Sequence, residues 1–133
     1  MALPIDYRKG SLKDLSTLKI SGGLTATKES IEFNVLGMGH ELWIAVEGDS
    51  IIGLSVLGRP GSNEFKIMYL EVAPLQKNRG VGSGLIQAML ANHPSGEFSV
   101  VPFEGTEEFY RRLGFEKVGQ LEMRKPPSFP TEH

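Results

Sequence analysis

Apolar and polar positions follow two different periods along the chain, which predicts a protein built from both strands and helices. Alternating or continuously apolar segments predict strands at residues 5–8, 42–47, 50–57, 64–72, 98–101, 115–118 and 121–125. Apolar residues three or four apart predict helices after Ser11, after Thr27 and at residues 82–91. Two Glu/Arg pairs spaced i, i+4, with signs that match the helix dipole, predict another helix at residues 106–113. The predicted order is therefore βααβββαβαββ, a single-domain mixed α/β fold with a mostly antiparallel twisted sheet flanked by helices.

The residues between these segments indicate how they connect. Gly48 and Asp49 separate two apolar runs closely enough to predict a tight hairpin. The segment 64–72 is almost continuously apolar, as expected for a strand covered on both faces. Pro74 should end its pairing, because proline has no backbone N–H to donate. A strand–helix–strand unit follows, for which we expect a right-handed crossover.

The stretch after this strand favours an anion. Residues 77–83 read KNRGVGS, a short basic and glycine-rich turn that runs directly into a helix. Free N–H groups at a helix start, together with the helix dipole, attract phosphate. Three glycines near this turn would let a ligand approach the backbone without meeting a Cβ atom. Lys77 and Arg79 add positive charge, so the sequence predicts a phosphate site here.

Composition and charge narrow the classes of protein that remain. The chain has 133 residues, of which 40% are apolar and 23% charged, enough for one domain with one core. Its net charge is −2, from 16 acidic and 14 basic side chains, so we predict no nucleic-acid partner. The chain has no cysteine, which excludes disulfides, thiolate catalysis and cysteine-based zinc sites. We predict no metal in the site.

The first residues of the chain and the lengths of its apolar runs indicate the expected cellular location, and its last residues indicate where the domain ends. The first ten residues, MALPIDYRKG, lack the long apolar core of a secretion signal. No apolar run approaches the ~20 residues needed to cross a bilayer. We therefore expect a cytoplasmic protein with no membrane partner. The domain should span residues 1–125, followed by a loose tail at 126–133 that contains three prolines.

Three interpretations compete for the glycine-rich turn. A P-loop needs G-x-x-x-x-G-K-[ST], and no Lys followed by Ser or Thr comes after the glycines here. A dinucleotide-binding G-x-G-x-x-G would need its third glycine at the position of Leu85, and the turn lies in mid-chain after a hairpin. The third interpretation is a turn without any ligand, which the glycines alone do not exclude.

Two segments taken together resemble the Gcn5-related N-acetyltransferase (GNAT) family. Residues 72–82, VAPLQKNRGVG, are similar to its acyl-CoA-binding motif, usually written Q/R-x-x-G-x-G/A. About 25 residues later, residues 109–116, FYRRLGFE, resemble the second recurring segment of the family. The order of the two segments and the strand between them also match, and the resemblance covers residues 42–125. Lys77 stands where the family has Gln or Arg, and lysine would hold a phosphate only as a point charge.

The resemblance implies that the chain binds acetyl-CoA. Backbone N–H groups of the turn would wrap the pyrophosphate, and the amides of the pantetheine arm would pair with the strand at 64–72. That pairing requires the strand to splay away from the one at 98–101, which family members achieve with a bulge. The expected cofactor-binding residues are Leu70, Val72, Lys77, Asn78, Arg79, Gly80, Val81, Gly82, Ser83 and Phe109.

The implied reaction is direct attack of a primary amine on acetyl-CoA in a ternary complex. A backbone N–H in residues 70–72 would stabilise the oxyanion. The resemblance places Tyr110 beside the sulfur as general acid. A phenol with a pKa of about 10 can protonate a thiolate whose acid has a pKa of about 8.5 at small cost. Glu71 is a candidate base, although it is as readily a structural carboxylate, and ordered water is an alternative to any base.

The acceptor amine is left open by the sequence. It belongs to a small molecule, a peptide or a protein, and we expect it to enter opposite acetyl-CoA between residues 22–39, the turn at 58–63 and the sheet end near Gly119. Weaker candidates for the base are His40, Glu41 and Glu104. The alternative function is a non-catalytic acyl-CoA-binding regulatory module. The proline-rich C-terminal residues neither support nor exclude a homodimer.

Overall fold

The computed structural model describes residues 3–128, which form eight strands and four α-helices. The strands are β1 (Ile5–Lys9), β2 (Lys19–Ile20), β3 (Glu41–Glu47), β4 (Ser50–Gly61), β5 (Glu64–Val72), β6 (Glu97–Val100), β7 (Glu116–Lys117) and β8 (Met123–Lys125). The helices are α1 (Leu12–Thr17), α2 (Lys28–Asn34), α3 (Val81–Asn92) and α4 (Glu107–Arg112), with 3-10 turns at Leu36–Met38 and Pro74–Gln76. No helix within residues 3–128 is long and apolar enough to span a membrane.

The strands form one sheet in the order β1-β3-β4-β5-β6-β8-β7, and β2 pairs in parallel with the start of β4. The pairs β1–β3, β3–β4, β4–β5, β6–β8 and β7–β8 are antiparallel. The pair β5–β6 is parallel, and α3 makes the crossover between the two strands. The predicted mixed, mostly antiparallel sheet flanked by helices is thereby confirmed.

Helices cover both faces of the sheet. The α3 side chains of Val81, Leu85, Ile86 and Met89 are fully buried against one face, where Tyr110 of α4 also lies. The other face is covered by Leu15 of α1, by Ile31 of α2 and by Val35 directly after α2. Because side chains alternate along a strand, the central strands need apolar residues on both sides. This explains why they are almost continuously apolar in the sequence.

β5 separates from β6 halfway along its length. Residues 64–67 of β5 pair with residues 97–100 of β6, and beyond that point β5 pairs only with β4. The register between β4 and β5 shifts at the same place and leaves Met68 as an extra residue, a β-bulge. The splay and the bulge predicted from the resemblance are both present. They leave one edge of β5 open from Met68 to Val72.

Three details differ from the predicted elements. The sequence predicts no strand at β2, whose two residues pair with β4 but are too few to show a period. β4 continues past residue 57 to Gly61, because the hairpin turn is formed by Ser62 and Asn63 rather than by 58–63. β7 and β8 are shorter than predicted. Of the predicted tail, residues 126–128 form no helix or strand, and the rest lies outside the described residues.

Candidate functional site

A cleft of about 860 Å³ opens where β5 leaves β6. Its walls are β5, the turn before α3, the first turn of α3 and one side of α4. Nine of the ten predicted cofactor-binding residues line it: Leu70, Val72, Lys77, Asn78, Gly80, Val81, Gly82, Ser83 and Phe109. Further wall residues are Gly23, Glu71, Pro74, Gln76, Gly105, Thr106, Arg112 and Leu113. The fold thus brings the predicted binding residues together, while their contact with a ligand stays a prediction.

The turn before α3 presents backbone donors to this cleft. Asn78 and Gly80 have positive φ angles of 69° and 76°, so the chain reverses sharply before the helix begins. The first intrahelical bond runs from the N–H of Gly84 to the carbonyl of Gly80, at 2.9 Å. The N–H groups of residues 81–83 therefore have no acceptor within the helix. They lie at the positive end of the helix dipole and form a suitable site for an anion.

The glycines of this stretch have different roles. Gly80 adopts the left-handed conformation that other residues rarely take, and Gly82 lines the cleft. Gly84 is needed for packing instead, because a Cβ there would lie 2.3 Å from the Cζ atom of Tyr7 on β1. The sequence interpretation that all three glycines admit a ligand is therefore wrong for Gly84.

The open edge of β5 forms the second wall of the cleft. Leu70 and Val72 point to the face covered by α3 and α4, whereas Tyr69 and Glu71 point to the opposite face. With no strand beside residues 68–72 on the β6 side, backbone groups there can pair with an extended ligand that carries amides. The fully buried Ser55 donates its hydroxyl to the Tyr69 carbonyl at 2.7 Å, which fixes the backbone at the bulge.

Arg79 has its guanidinium already engaged outside the cleft. Nη1 and Nη2 donate to Glu47 Oε1 at 3.2 Å and to Oε2 at 2.6 Å, and Nη1 also contacts Gln76 Oε1. These hydrogen bonds raise the pKa of Arg79 and lower the pKa of Glu47. The pair ties the turn to the end of β3. Arg79 thus positions the turn rather than adding a free charge, whereas Lys77 and Arg112 are the cations on the cleft wall.

Tyr110 lies in the core and is not among the residues that line the cleft. It is 6% exposed and packs edge-on against Phe109 and Phe115, with ring centroids 5.0 and 5.6 Å away. Burial raises the pKa of Tyr110 to about 12. Complete proton transfer from such a phenol to a thiolate whose acid has a pKa of about 8.5 would cost about 5 kcal/mol. The small cost expected from an ordinary phenol therefore does not apply.

Glu71 is held by hydrogen bonds from the chain segment before α2. Its carboxylate accepts from the Thr25 N–H at 2.9 Å and from Thr25 Oγ1 at 3.1 and 2.9 Å. Thr25 Oγ1 also lies 2.9 Å from the Tyr69 hydroxyl. Burial by itself would raise the pKa of Glu71, but the hydrogen bonds from Tyr69 and Thr25 outweigh it, and the pKa is lowered. A carboxylate of this kind is ionised at neutral pH and is a weak base.

A second cavity, of about 370 Å³, lies on the opposite face of β5 beneath α2. Its apolar wall consists of Ala26, Ile31, Val35, Leu54, Val56 and Met68. Its polar side chains are Thr25, Ser30, Asn34, His40 and Tyr69. Thr25 and Tyr69 line this cavity and Glu71 lines the cleft, so their hydrogen-bonded group is the wall between the two. The acceptor walls predicted at 58–63 and near Gly119 do not border this cavity.

The fold places the three weaker candidates for a base in different parts of the molecule. His40 lines the smaller cavity. Glu41 borders neither cavity and instead accepts from Trp43 Nε1 at 2.9 Å, with His93 Nε2 at 3.1 Å. Glu104 is exposed and also lies outside both cavities. Of these three, only His40 borders either cavity.

Four side chains at the site were not singled out from the sequence: Thr25, Glu47, Ser55 and Arg112. Thr25, Glu47 and Ser55 act through partners 14 to 46 positions away in the chain. No local spacing marks such contacts. Arg112 did carry a signal, because it lies three residues after Phe109 and so shares its side of α4.

Comparison with known proteins identifies what this arrangement is similar to. Residues 38–117 match the profile of the acetyltransferase (GNAT) domain. No curated protein sequence matches the chain. Many solved structures share its fold. Those described next have low sequence identity to this chain.

Three of these structures illustrate the likeness. The ribosomal-protein-S18-alanine N-acetyltransferase of Escherichia coli superposes with a TM-score of 0.74 at 12% identity, covering 97% of each chain. A GNAT family acetyltransferase of Brucella melitensis, solved with acetyl-CoA, gives 0.69 at 15% identity, covering 98% of this chain and 94% of the other. Ard1 of Thermoplasma volcanium gives 0.66 at 18% identity, covering 90% and 94%.

Proposed function

Because the chain belongs to the GNAT acetyltransferase family, whose acetyl donor is acetyl-CoA, we propose that it transfers an acetyl group from acetyl-CoA to a primary amine. One observation carries this proposal: the unbonded N–H groups at the start of α3 and the open edge of β5 border the same cleft. A pyrophosphate with a long, amide-bearing arm needs both features together.

The residues of the cleft fit acetyl-CoA in three respects. The N–H groups of residues 81–83 would hold the pyrophosphate, with Lys77 as a point charge beside it. The edge of β5 from Met68 to Val72 would pair with the pantetheine amides. The volume of about 860 Å³ lies within the ~300–1,000 Å³ of ordinary small-molecule sites. When bound, acetyl-CoA supplies an acetyl group activated as a thioester.

The acceptor would approach from the smaller cavity on the other face of β5. The neutral amine nitrogen of the acceptor would bond to the acetyl carbon, and the carbon–sulfur bond would break with its electron pair going to sulfur. The nitrogen gives up a proton to water, and the sulfur gains one, for which Tyr110 is the proposed donor. A backbone N–H of residues 70–72 stabilises the acetyl oxygen while it carries negative charge. Binding both reactants on one splayed strand makes the attack effectively unimolecular.

Tyr110 and Glu71 take roles that follow from their pKa values. Tyr110, with a pKa of about 12, acts only as a proton donor and shares its proton with the leaving sulfur rather than losing it completely. Glu71, with a lowered pKa, holds the segment before α2 and attracts the acceptor's ammonium group. Ordered water then removes the proton from the amine.

A double-mutant cycle tests how Arg79 acts. If Arg79 works by pairing with Glu47, Arg79→Met weakens acetyl-CoA binding about tenfold in the native protein, because it leaves a carboxylate unpaired near the pyrophosphate. In a Glu47→Gln background the same substitution should change the dissociation constant less than about threefold. Calorimetric titration of the four proteins measures both values. An equal loss in the two backgrounds would mean that Arg79 contacts the cofactor directly.

The proposed activity is tested by release of the free CoA thiol from acetyl-CoA in the presence of a panel of amines. Amine-dependent release supports acetyl transfer. Binding without release would support the non-catalytic acyl-CoA-binding module, which the burial of Tyr110 favours. Either function predicts that acetyl-CoA well above its dissociation constant stabilises the fold by about 2–4 kcal/mol. The absence of both effects would leave the glycine-rich turn without a ligand.

A further inference from the structure

We propose that the acceptor is a small primary amine on an uncharged hydrocarbon body, and that this body occupies the cavity beneath α2. The inference rests on the proposed acetyl transfer and refines it by naming the class of substrate. It is carried by the chemistry of the cavity wall, by the oxygens at its inner end and by its size.

The cavity wall carries no Asp, Glu, Lys or Arg side chain. Ile31, Leu54 and Val56 form its apolar centre, and each is at most 6% exposed. A second charged group on the acceptor would therefore exchange water for the side chains of Ser30, Asn34 and His40, with no carboxylate, ammonium or guanidinium on this wall to pair with, which is costly beside an apolar surface. Polyamines carry a second ammonium group and free amino acids a carboxylate. Both classes are disfavoured for this reason.

The inner end of the cavity is suited to the amine itself. Tyr69 Oη lies 2.9 Å from Thr25 Oγ1, which lies 2.9 Å from Glu71 Oε2. These oxygens form the wall toward the cleft, and Glu71 is the carboxylate within it. An ammonium group is drawn to such acceptors, whereas a hydrocarbon body is not. The wall thus orients the nitrogen toward the cleft and the body toward α2.

The volume of the cavity indicates a free small molecule rather than a segment of a protein. About 370 Å³ is near the lower end of the range for small-molecule sites, roughly 300–1,000 Å³. A bound peptide needs space for its backbone on both sides of the reacting side chain. A straight-chain or aromatic monoamine needs no such space.

Hexylamine and cadaverine are a matched pair for the test, because they have the same length and differ only in a terminal methyl or ammonium group. Measured by thiol release, kcat/KM for hexylamine should be at least about tenfold higher than kcat/KM for cadaverine. Nα-acetyl-lysine methylamide, which presents the amine on a peptide backbone, should also fall below hexylamine. A higher kcat/KM for cadaverine or for the lysine derivative would overturn the inference while leaving acetyl transfer intact.

An Asn34→Asp variant tests whether the cavity is the source of this preference. Asn34 borders the cavity and is exposed at the end of α2, so the nearly isosteric change should not disturb folding. The new carboxylate should lower the KM for cadaverine and reduce the hexylamine preference about tenfold. Asn63→Asp, which makes the same change in the β4–β5 turn, is the control and should leave the preference unchanged. Equal effects of the two variants would count against the cavity.

A binding measurement separates failure of this inference from failure of the proposed activity. With CoA present, hexylamine should shift the backbone amide resonances of Thr25 and Tyr69, and cadaverine should do so at least about tenfold more weakly. If hexylamine shifts these resonances more strongly than cadaverine but no thiol is released, the inference is supported and the proposed acetyl transfer is refuted. If neither amine shifts these resonances and neither is acetylated, the inference is refuted.

Discussion

Replacing Gly82 by aspartate is expected to abolish acetyl-CoA binding while leaving the fold intact. A Cβ at this position would lie 3.4 Å from Phe109 Cζ and 3.7 Å from Leu70 Cδ2, which are ordinary contacts. The new carboxylate, however, would enter the cleft beside the N–H groups proposed to hold the pyrophosphate. Like charges brought together cost several kcal/mol, so the dissociation constant should rise at least about 100-fold.

The same substitution should not destabilise the protein in the absence of acetyl-CoA. Position 82 lies in the first turn of α3, where an acidic side chain interacts favourably with the helix dipole and glycine is a poor helix former. The melting temperature without ligand should therefore stay the same or rise. Calorimetric titration and thermal melting measure the two effects separately. Gly119→Asp, in open space between β7 and β8, is the control for the added charge.

Unchanged affinity in the Gly82→Asp protein would contradict the assignment of the pyrophosphate to the start of α3. A loss of affinity together with a lower melting temperature would also contradict it, because the effect would then reflect a damaged helix. Only a loss of acetyl-CoA affinity together with an unchanged or raised melting temperature supports the proposed site.

Removing the Tyr110 hydroxyl is expected to lower kcat about 100-fold, the usual contribution of one general acid. Tyr110→Phe keeps the ring and therefore its contacts with Phe109 and Phe115. The dissociation constant of acetyl-CoA should change less than about twofold, because the hydroxyl is proposed to act only once negative charge develops on the leaving sulfur. Steady-state kinetics with hexylamine measures the loss, and Tyr7→Phe on β1 is the control for removal of a hydroxyl.

The pH dependence of the native protein checks the same assignment. A phenol with a pKa of about 12 stays protonated below about pH 11, so its ionisation should not reduce the rate between pH 8 and 10. The rate should instead rise with pH as the acceptor amine, with a pKa near ~10, loses its proton. A fall in kcat/KM between pH 8 and 10 would mean that an essential acid ionises there, contrary to a buried Tyr110. An unaltered kcat in Tyr110→Phe would remove this residue from the mechanism.

Local sequence patterns predicted the elements whose structure depends on neighbouring residues. The turn before α3 is one of these, because positive φ angles at Asn78 and Gly80 and the free N–H groups after them follow from the residues themselves. The splay of β5 followed from the family resemblance and from Pro74. The order of the main elements was also correct, with the exception of the two-residue β2.

Contacts between distant parts of the chain could not be predicted in this way. The bond of Arg79 with Glu47 depends on how β3 ends beside the turn, and the bonds of Glu71 with Thr25 depend on how the segment before α2 crosses β5. Neither pair has a characteristic spacing. The burial of Tyr110 likewise depends on Phe115 and on the packing of α4, so its raised pKa could not be predicted from the sequence.

Within residues 3–128, β5 and β6 are joined only by a short parallel ladder at one end of β5. Four residue pairs, at 64–67 and 97–100, join the strands before they diverge. Phe65 and Phe98 stack there with ring centroids 5.2 Å apart. The length of this ladder and the packing of its two rings therefore set where β5 leaves β6 and how wide the cleft opens. A change of either ring would alter the width of the cleft, although neither Phe65 nor Phe98 lines it.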